Sequence, residues 1–400
     1  MALGQNDFNE LLSATVQKIE KQLVDNVFTA HPTLDFLKAN IKSATGPSVI
    51  FPIVAADDTS TVFTDASGTF NTGVSSDILG VAKYEWSSPL VSKIRVEFKQ
   101  LEMNAGPEQV VSLAKAHLDA AVKGHGKKLA TVLHTAGSAG AGAFNTLDEI
   151  ISNSDKLTTS TARTVGGIRG GVGTVTITNI ERDASDNTTI TVGAHDFIVG
   201  DTVVVAGTTL DSGSYNGTWT ITAVAATTFT YVSPGATAGT TASGGTATVD
   251  AVKTYWRATE KTLTSPSVDI RTAFRTISDD VYVASAERPN AIIAGRNVFA
   301  EYENSFDSKI QYPGVSGTGE TRFRQLDFDG IPVRLDPDCP TNTAYFINTD
   351  YLTARYLGGN FMKAMPAQVV TGTLDTVTPL ASVLCVGTNN RRAHGKLNRA

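Results

Sequence analysis

The chain has 400 residues, 41% hydrophobic and 18% charged, so it can bury a sizeable core and exceeds the ~250–300 residues at which single cores stop growing. A formal charge of −6 argues against a surface that coats nucleic acid. Cys339 and Cys385 form no C-x-x-C and no zinc spacing, so both read as reduced, buried thiols.

No apolar run reaches the ~18 residues of a membrane span, and "MALGQNDFNELL" lacks the basic and apolar regions of an export signal, so cytosolic synthesis is expected. Phe8, Leu11, Leu12, Thr15, Ile19 and Leu23 then recur at three- and four-residue spacing. This predicts an amphipathic helix over 7–29, ended by His31-Pro32 and needing a partner for its apolar face.

From Ser48 the pattern becomes extended. "SVIFPIV" runs out and "SKIRVEFKQLEMN" comes back, with Ile94, Val96 and Phe98 on one face and Lys93, Arg95, Glu97 and Lys99 on the other. The polar segment 57–77 lies between them. A two-stranded excursion of this kind is marginal alone and calls for outside support, such as a neighbouring subunit.

"GPEQVVSLAKAHLDAAVKGHGKKLATVLHTAG" is the clearest helix. Pro107 suits its first position, and Val111, Ala114, Leu118, Ala121, His125, Leu129 and Val132 make one stripe. Gly124 and Gly126 interrupt it at about 1 kcal/mol each relative to Ala, and mark either tight packing or a bend.

The run "TARTVGGIRGGVGTVTITNI" offers glycines but no Lys-Ser or Lys-Thr, and a strand rather than a helix follows, which argues against a phosphate or dinucleotide loop. From 172 to 250 there is no Lys and a single Arg, Arg182, while short β-rich runs alternate with turn signals. This predicts a small all-β module entering a host through a flexible glycine junction. Host composition resumes with "YWRATEKTL" and a helix over 266–287, with Ile270, Phe274, Ile277, Val281 and Ala284 on one face.

Catalytic signatures are missing. "AGSAGAG" and "GVSGTG" fail the G-x-S-x-G spacing, and the six histidines form no ligand motif, so they read as packed or solvated. In "LDFDGIPVRLDPDCP" the carboxylates read as turn signals, Asp329-Gly330 and Asp336-Pro337, rather than calcium ligands. Arg391, Arg392, Lys396 and Arg399 read as a solvated basic tail. No catalytic, metal or cofactor site is expected, and no enzyme activity.

The order of these parts, with "MNAGPEQ", "YWRATEKTL", "RPNAIIAGRNVFAEYEN", "FDGIPVRLDPDCP" and "AYFINTDYL", resembles the major capsid proteins of tailed bacteriophages, the HK97-type fold. The resemblance implies an α+β chain with an N-terminal arm over 1–44, an extended loop over 45–100, and a peripheral domain with its spine helix over 101–145. It further implies an axial domain from 146–171 and 251–360, an inserted, surface-exposed β domain over 172–250, and a return to the peripheral domain over 361–400.

It implies an icosahedral head, built in the host cytoplasm from hexamers and pentamers, that encloses double-stranded DNA without sequence-specific binding. The partners would be the chain itself, a separate scaffolding protein, because the arm begins almost at Met1, a portal and a possible decoration protein, with no membrane. The assembly candidates are Phe8, Leu12, Ile19, Ile94, Val96, Phe98, Gly124 and Gly126. The alternative is another virion part, such as a tail tube or surface adhesin, where similar β modules occur.

Overall fold

A computed structural model describes residues 31–38, 40–54, 79–96, 107–136, 140, 142–210, 215–236, 238–264, 268–305, 325–358, 361–366, 368–369 and 375–399. The helix expected over 7–29, with Phe8, Leu12 and Ile19, lies outside the described residues, as does Phe98.

Pro32 opens a short helix, α1 (Pro32–Lys38), because a first-turn residue needs no N–H partner. Strand β1 (Ile41–Ala44) follows, then β2 (Ser48–Val54) and β3 (Leu79–Glu85). The expected return strand is corrected here. β2 pairs antiparallel with β3 in register Val49↔Tyr84 to Ile53↔Gly80, whereas β4 (Leu90–Val96) pairs with a strand far down the chain. "LGVAKYE" alternates buried and exposed residues as well as β4 does, and it lies nearer β2.

Helix α2 (Pro107–Leu133) runs unbroken for 27 residues through both glycines. Leu118, Val122, His125, Leu129, Ala130 and Leu133 are buried on one side of it. A short turn of helix, α3 (Leu147–Ile150), is fixed by a capping box: Thr146 Oγ1 accepts from Glu149 N–H at 3.1 Å, and the Glu149 carboxylate accepts from Thr146 N–H at 3.0 Å.

The all-β segment is a closed barrel. Its strands are β5 (Thr174–Arg182), β6 (Asn187–Val192), β7 (Thr202–Ala206), β8 (Gly217–Val224), β9 (Thr228–Val232), β10 (Ala238–Ala242) and β11 (Thr246–Thr248). The order β5-β11-β7-β8-β9-β6 closes through β6–β5 pairing, and β10 lies along the outer half of β5. Period-two alternation sends Val175, Ile177, Ile190, Val192, Val203, Val205, Phe229 and Tyr231 inward, to a core of its own with Phe197 and Ile221. The module's one cation, Arg182, is buried over the Tyr215 ring at 4.0 Å and donates to Thr188 Oγ1 and Ser233 Oγ.

The junction is paired backbone rather than an open loop. Arg169–Gly170 pairs in parallel with Val252–Lys253, and a Cβ on Gly170 would overlap the Trp256 carbonyl. The glycines are there because two passes of backbone lie against each other, which corrects the reading of the run as a loose linker.

Beyond the barrel come β12 (Thr259–Leu263), α4 (Ile270–Ser285), β13 (Ala291–Ala294), α5 (Arg296–Asn304), β14 (Gln325–Phe328), β15 (Ile331–Leu335), β16 (Thr343–Ile347), β17 (Leu352–Leu357), β18 (Thr376–Ser382), β19 (Leu384–Thr388) and β20 (Gly395–Arg399). Asp329 and Gly330, at φ 48° and 81°, make the two-residue turn between β14 and β15. α4 buries Ile270, Phe274, Ile277 and Val281, but Ala284 is exposed.

Six strands, β12-β20-β16-β13-β15-β14, form one sheet against α4 and α5. A second body gathers α1, α2, the β2–β3 hairpin, β1-β17-β19 and β4 on β18 around Leu34, Ile94, Leu118, Leu129, Leu352 and Leu380. The expected single return over 361–400 therefore splits. β18 and β19 join the α2 body, while β20, whose Leu397 is fully buried, crosses to the six-stranded sheet.

Candidate assembly surface and the buried cluster beneath it

The β2–β3 hairpin has two unlike faces. Val49, Ile53, Ala82 and Tyr84 point inward, and the Tyr84 hydroxyl donates to the Thr388 carbonyl at 2.8 Å while accepting from Thr388 N–H at 3.1 Å. Ile50 and Val81 point outward at 60% and 58% exposure, with the exposed Pro52 directly across from Val81. Three apolar side chains on a ladder of only two described strands make a surface suited to another protein chain.

Ile94, expected at an assembly contact, is 2% exposed and belongs to the chain's own core, because β4 turns that face toward the α2 body. Arg95 on the opposite face is exposed and pairs with Asp375. Val96 closes the β4–β18 ladder opposite Thr376. Gly124 is exposed with open space around a would-be Cβ, so tight packing does not account for it, whereas Gly126 is buried.

Between them, His125 ties α2 to both strands: Nδ1 lies 2.9 Å from Ser92 Oγ and Nε2 2.6 Å from Ser382 Oγ. Burial lowers its pKa to about 4, so it is neutral at pH 7. His31, at 3.0 Å from Asp338, and Asp336 also converge. Asp336 is occupied, however, accepting from Thr33 N–H and Asp338 N–H beside His134. Burial pushes its carboxyl up, but the His134, Thr33 and Asp338 contacts overcome this and hold it at about 2. The cluster anchors the start of α1, and Asp336 leads into the turn at Pro337–Asp338.

The expected basic tail is corrected most strongly. Arg391 is fully buried, with Nη1 at 2.7 Å from Asp155 Oδ2. Its remaining N–H groups reach the carbonyls of Glu149, Ile150, Ser152 and Trp256 at 2.8–3.2 Å. Asp155 also accepts from Gly170 N–H at 2.7 Å, so one ion pair joins α3, the barrel entrance and the C-terminal segment. Lys396 bridges Asp148 and Glu260, and Arg399 pairs with Glu301.

On the barrel side, Arg169 forks onto Asp201 at 2.8 and 2.7 Å, both largely buried. Asp196 accepts from Ser154 and Val172. Sequence reading missed Asp155, Arg169 and Arg391, since nothing local separates a buried arginine from a solvated one. The one available signal was β-patterned sequence on both sides of Arg391.

No protein-family model and no curated protein matches the chain. Among solved structures, a chain of the cyanophage A-1(L) capsid asymmetric unit aligns at TM-score 0.54 and 12% identity, over 93% of this chain and 92% of that one. A chain from Mycobacterium phage Adephagia aligns at 0.45 and 9% identity, over 94% and 90%. A virus-like particle from Pyrococcus furiosus aligns at 0.42 and 11%, over 96% and 98%. On the first of these, the chain has the α+β, HK97-like capsid fold, carrying a β-barrel between residues 172 and 250.

Proposed function

We propose that this chain is the major capsid protein of a tailed bacteriophage, a structural rather than catalytic protein that builds the icosahedral head around double-stranded DNA. The observation that carries the reading is the end-to-end likeness to a cyanophage capsid chain, which spans nine-tenths of both chains and not one domain alone. The outward Ile50–Pro52–Val81 face supports it, since repeated copies of one chain would cover such surfaces on each other.

In this reading 1–44 is the arm, 45–100 the loop reaching a neighbour, and α2 the spine of the peripheral domain. The six-stranded sheet, β20 included, is the axial domain, and the barrel stands on the exterior. Hexamers and pentamers would assemble beside a scaffolding protein and a portal, with a decoration protein a further partner, and the virion would be the final location. Negative-stain microscopy of the purified chain at rising concentration tests this. Rings or closed hollow shells are expected, and a strictly monomeric protein under all conditions would overturn it.

A further inference from the structure

A cavity of about 660 Å³ opens between Thr254–Glu260, the end of α4 and the segment before β20. Its size falls among ordinary ligand sites, about 300–1,000 Å³. Arg257 and Arg392, both half-buried, line it together with Asn153, Thr254, Tyr255 and Thr259. The one carboxylate in the wall, Glu260, is engaged by Lys396 at 3.0 Å and Asn398 at 2.8 Å.

The cavity's charge is therefore positive. Neighbouring arginines answer differently: Arg391, next in the chain to Arg392, spends its guanidinium on Asp155. Arg257 and Arg392 have no carboxylate within ion-pair distance among the described residues. A guanidinium is a planar fork matched to two oxygens of a carboxylate or phosphate, and a concave wall concentrates the field of two such groups. Thr254, Thr259 and Asn153 add hydroxyl and amide groups to the same wall.

We propose that this cavity is an oxyanion site, with Arg257 and Arg392 gripping a phosphoryl or carboxylate group and the rest of the cavity holding the polar body that bears it. The inference does not depend on the capsid reading, because it rests on the cavity's own charges.

Thermal unfolding of the full chain, titrated with inorganic phosphate or with citrate against sodium chloride at matched ionic strength, tests it. Tm should climb with phosphate or citrate further in the unmutated chain than in the Arg257→Gln, Arg392→Gln double variant, which carries the general stabilisation these excluded anions give any fold. The anion with the larger difference between the two chains marks the ligand as phosphoryl or carboxylate. In Arg257→Gln and Arg392→Gln the apparent Kd should weaken at least tenfold.

Arginine-directed dicarbonyl labelling of the unmutated chain, read by peptide mass spectrometry, gives a second measurement. Phosphate or citrate should shield Arg257 and Arg392 while leaving the exposed Arg95 reactive. Shifts no larger than the double variant's, or unchanged labelling at both arginines, would overturn the proposal.

Discussion

The barrel and the β2–β3 hairpin are both antiparallel β-structure, yet they solve the edge problem in opposite ways. The barrel closes on itself, fills its centre with Phe197, Phe229 and Tyr231, and buries its only cation. Residues 172–250 carry one arginine against seven carboxylates, so the whole formal charge of −6 resides there and the remainder of the chain is balanced. Among the described residues the hairpin's ladder has two strands: one face packs on the α2 body, and the other leaves Ile50 and Val81 open. One region has a closed ladder, a core of its own and a net negative charge, while the other has an outward apolar face.

The largest expected effect lies where the barrel is tied to its host. Arg391→Ala removes the buried guanidinium from Asp155 and leaves it Arg163 at 3.3 Å and the Gly170 N–H, so the loss approaches but stays below the about 3–5 kcal/mol of a fully broken buried pair. Urea denaturation should show the host transition moving to lower denaturant while the barrel's aromatic signal from Trp219 holds its midpoint. Equal loss in both would mean the barrel depends on its host.

Excising the barrel sharpens the same point. Joining Gly171 to Ala251 leaves the buried Arg169 without Asp201, so that deletion should fold poorly, and adding Arg169→Leu should restore far-UV helicity. The separate fragment 172–253 should unfold cooperatively; a fragment without a cooperative transition would contradict a self-sufficient barrel.

Acid should act on the host through His125. Its pKa falls from 6.5 unfolded to about 4 folded, so the unfolded chain takes up a proton the native chain refuses. Its stabilising effect is complete above pH 6.5 and is lost as pH falls toward 4. His125→Gln should flatten the slope of urea midpoint against pH in that window, and an unchanged slope would assign the acid response elsewhere. Smallest of all, Gly124→Ala should raise host stability by up to about 1 kcal/mol, since the new methyl meets open space. A destabilised variant would mean the glycine is needed for a bend.

What the sequence disclosed was what period and punctuation encode. The α2 stripe, the Asp329-Gly330 turn, the barrel's alternating strands and the composition break at 172 and 250 are all local patterns. What it concealed was pairing at a distance. β4 meets β18 across nearly three hundred residues, and Arg391 meets Asp155 across 236; neither leaves a local trace. The glycines at 170 and 173 show a third kind of failure. Glycine that permits close backbone approach and glycine that permits flexibility are the same letter, and only the Trp256 and Val252 carbonyls beside them tell the two apart. For the candidate site, Ile94 was placed on the correct strand and correctly read as apolar, but which body covers it is a tertiary fact.

If a neighbouring copy covers the outward Ile50–Pro52–Val81 face, charging that face must disperse the assembly without unfolding the chain. Sedimentation velocity of the unmutated chain against the double variant Ile50→Asp, Val81→Asp tests it directly, with circular dichroism as the check on folding. The unmutated chain should sediment as capsomers or shells, and the variant as folded monomers with an unchanged spectrum. Assembly of the variant to the same particles as the unmutated chain would contradict the claim.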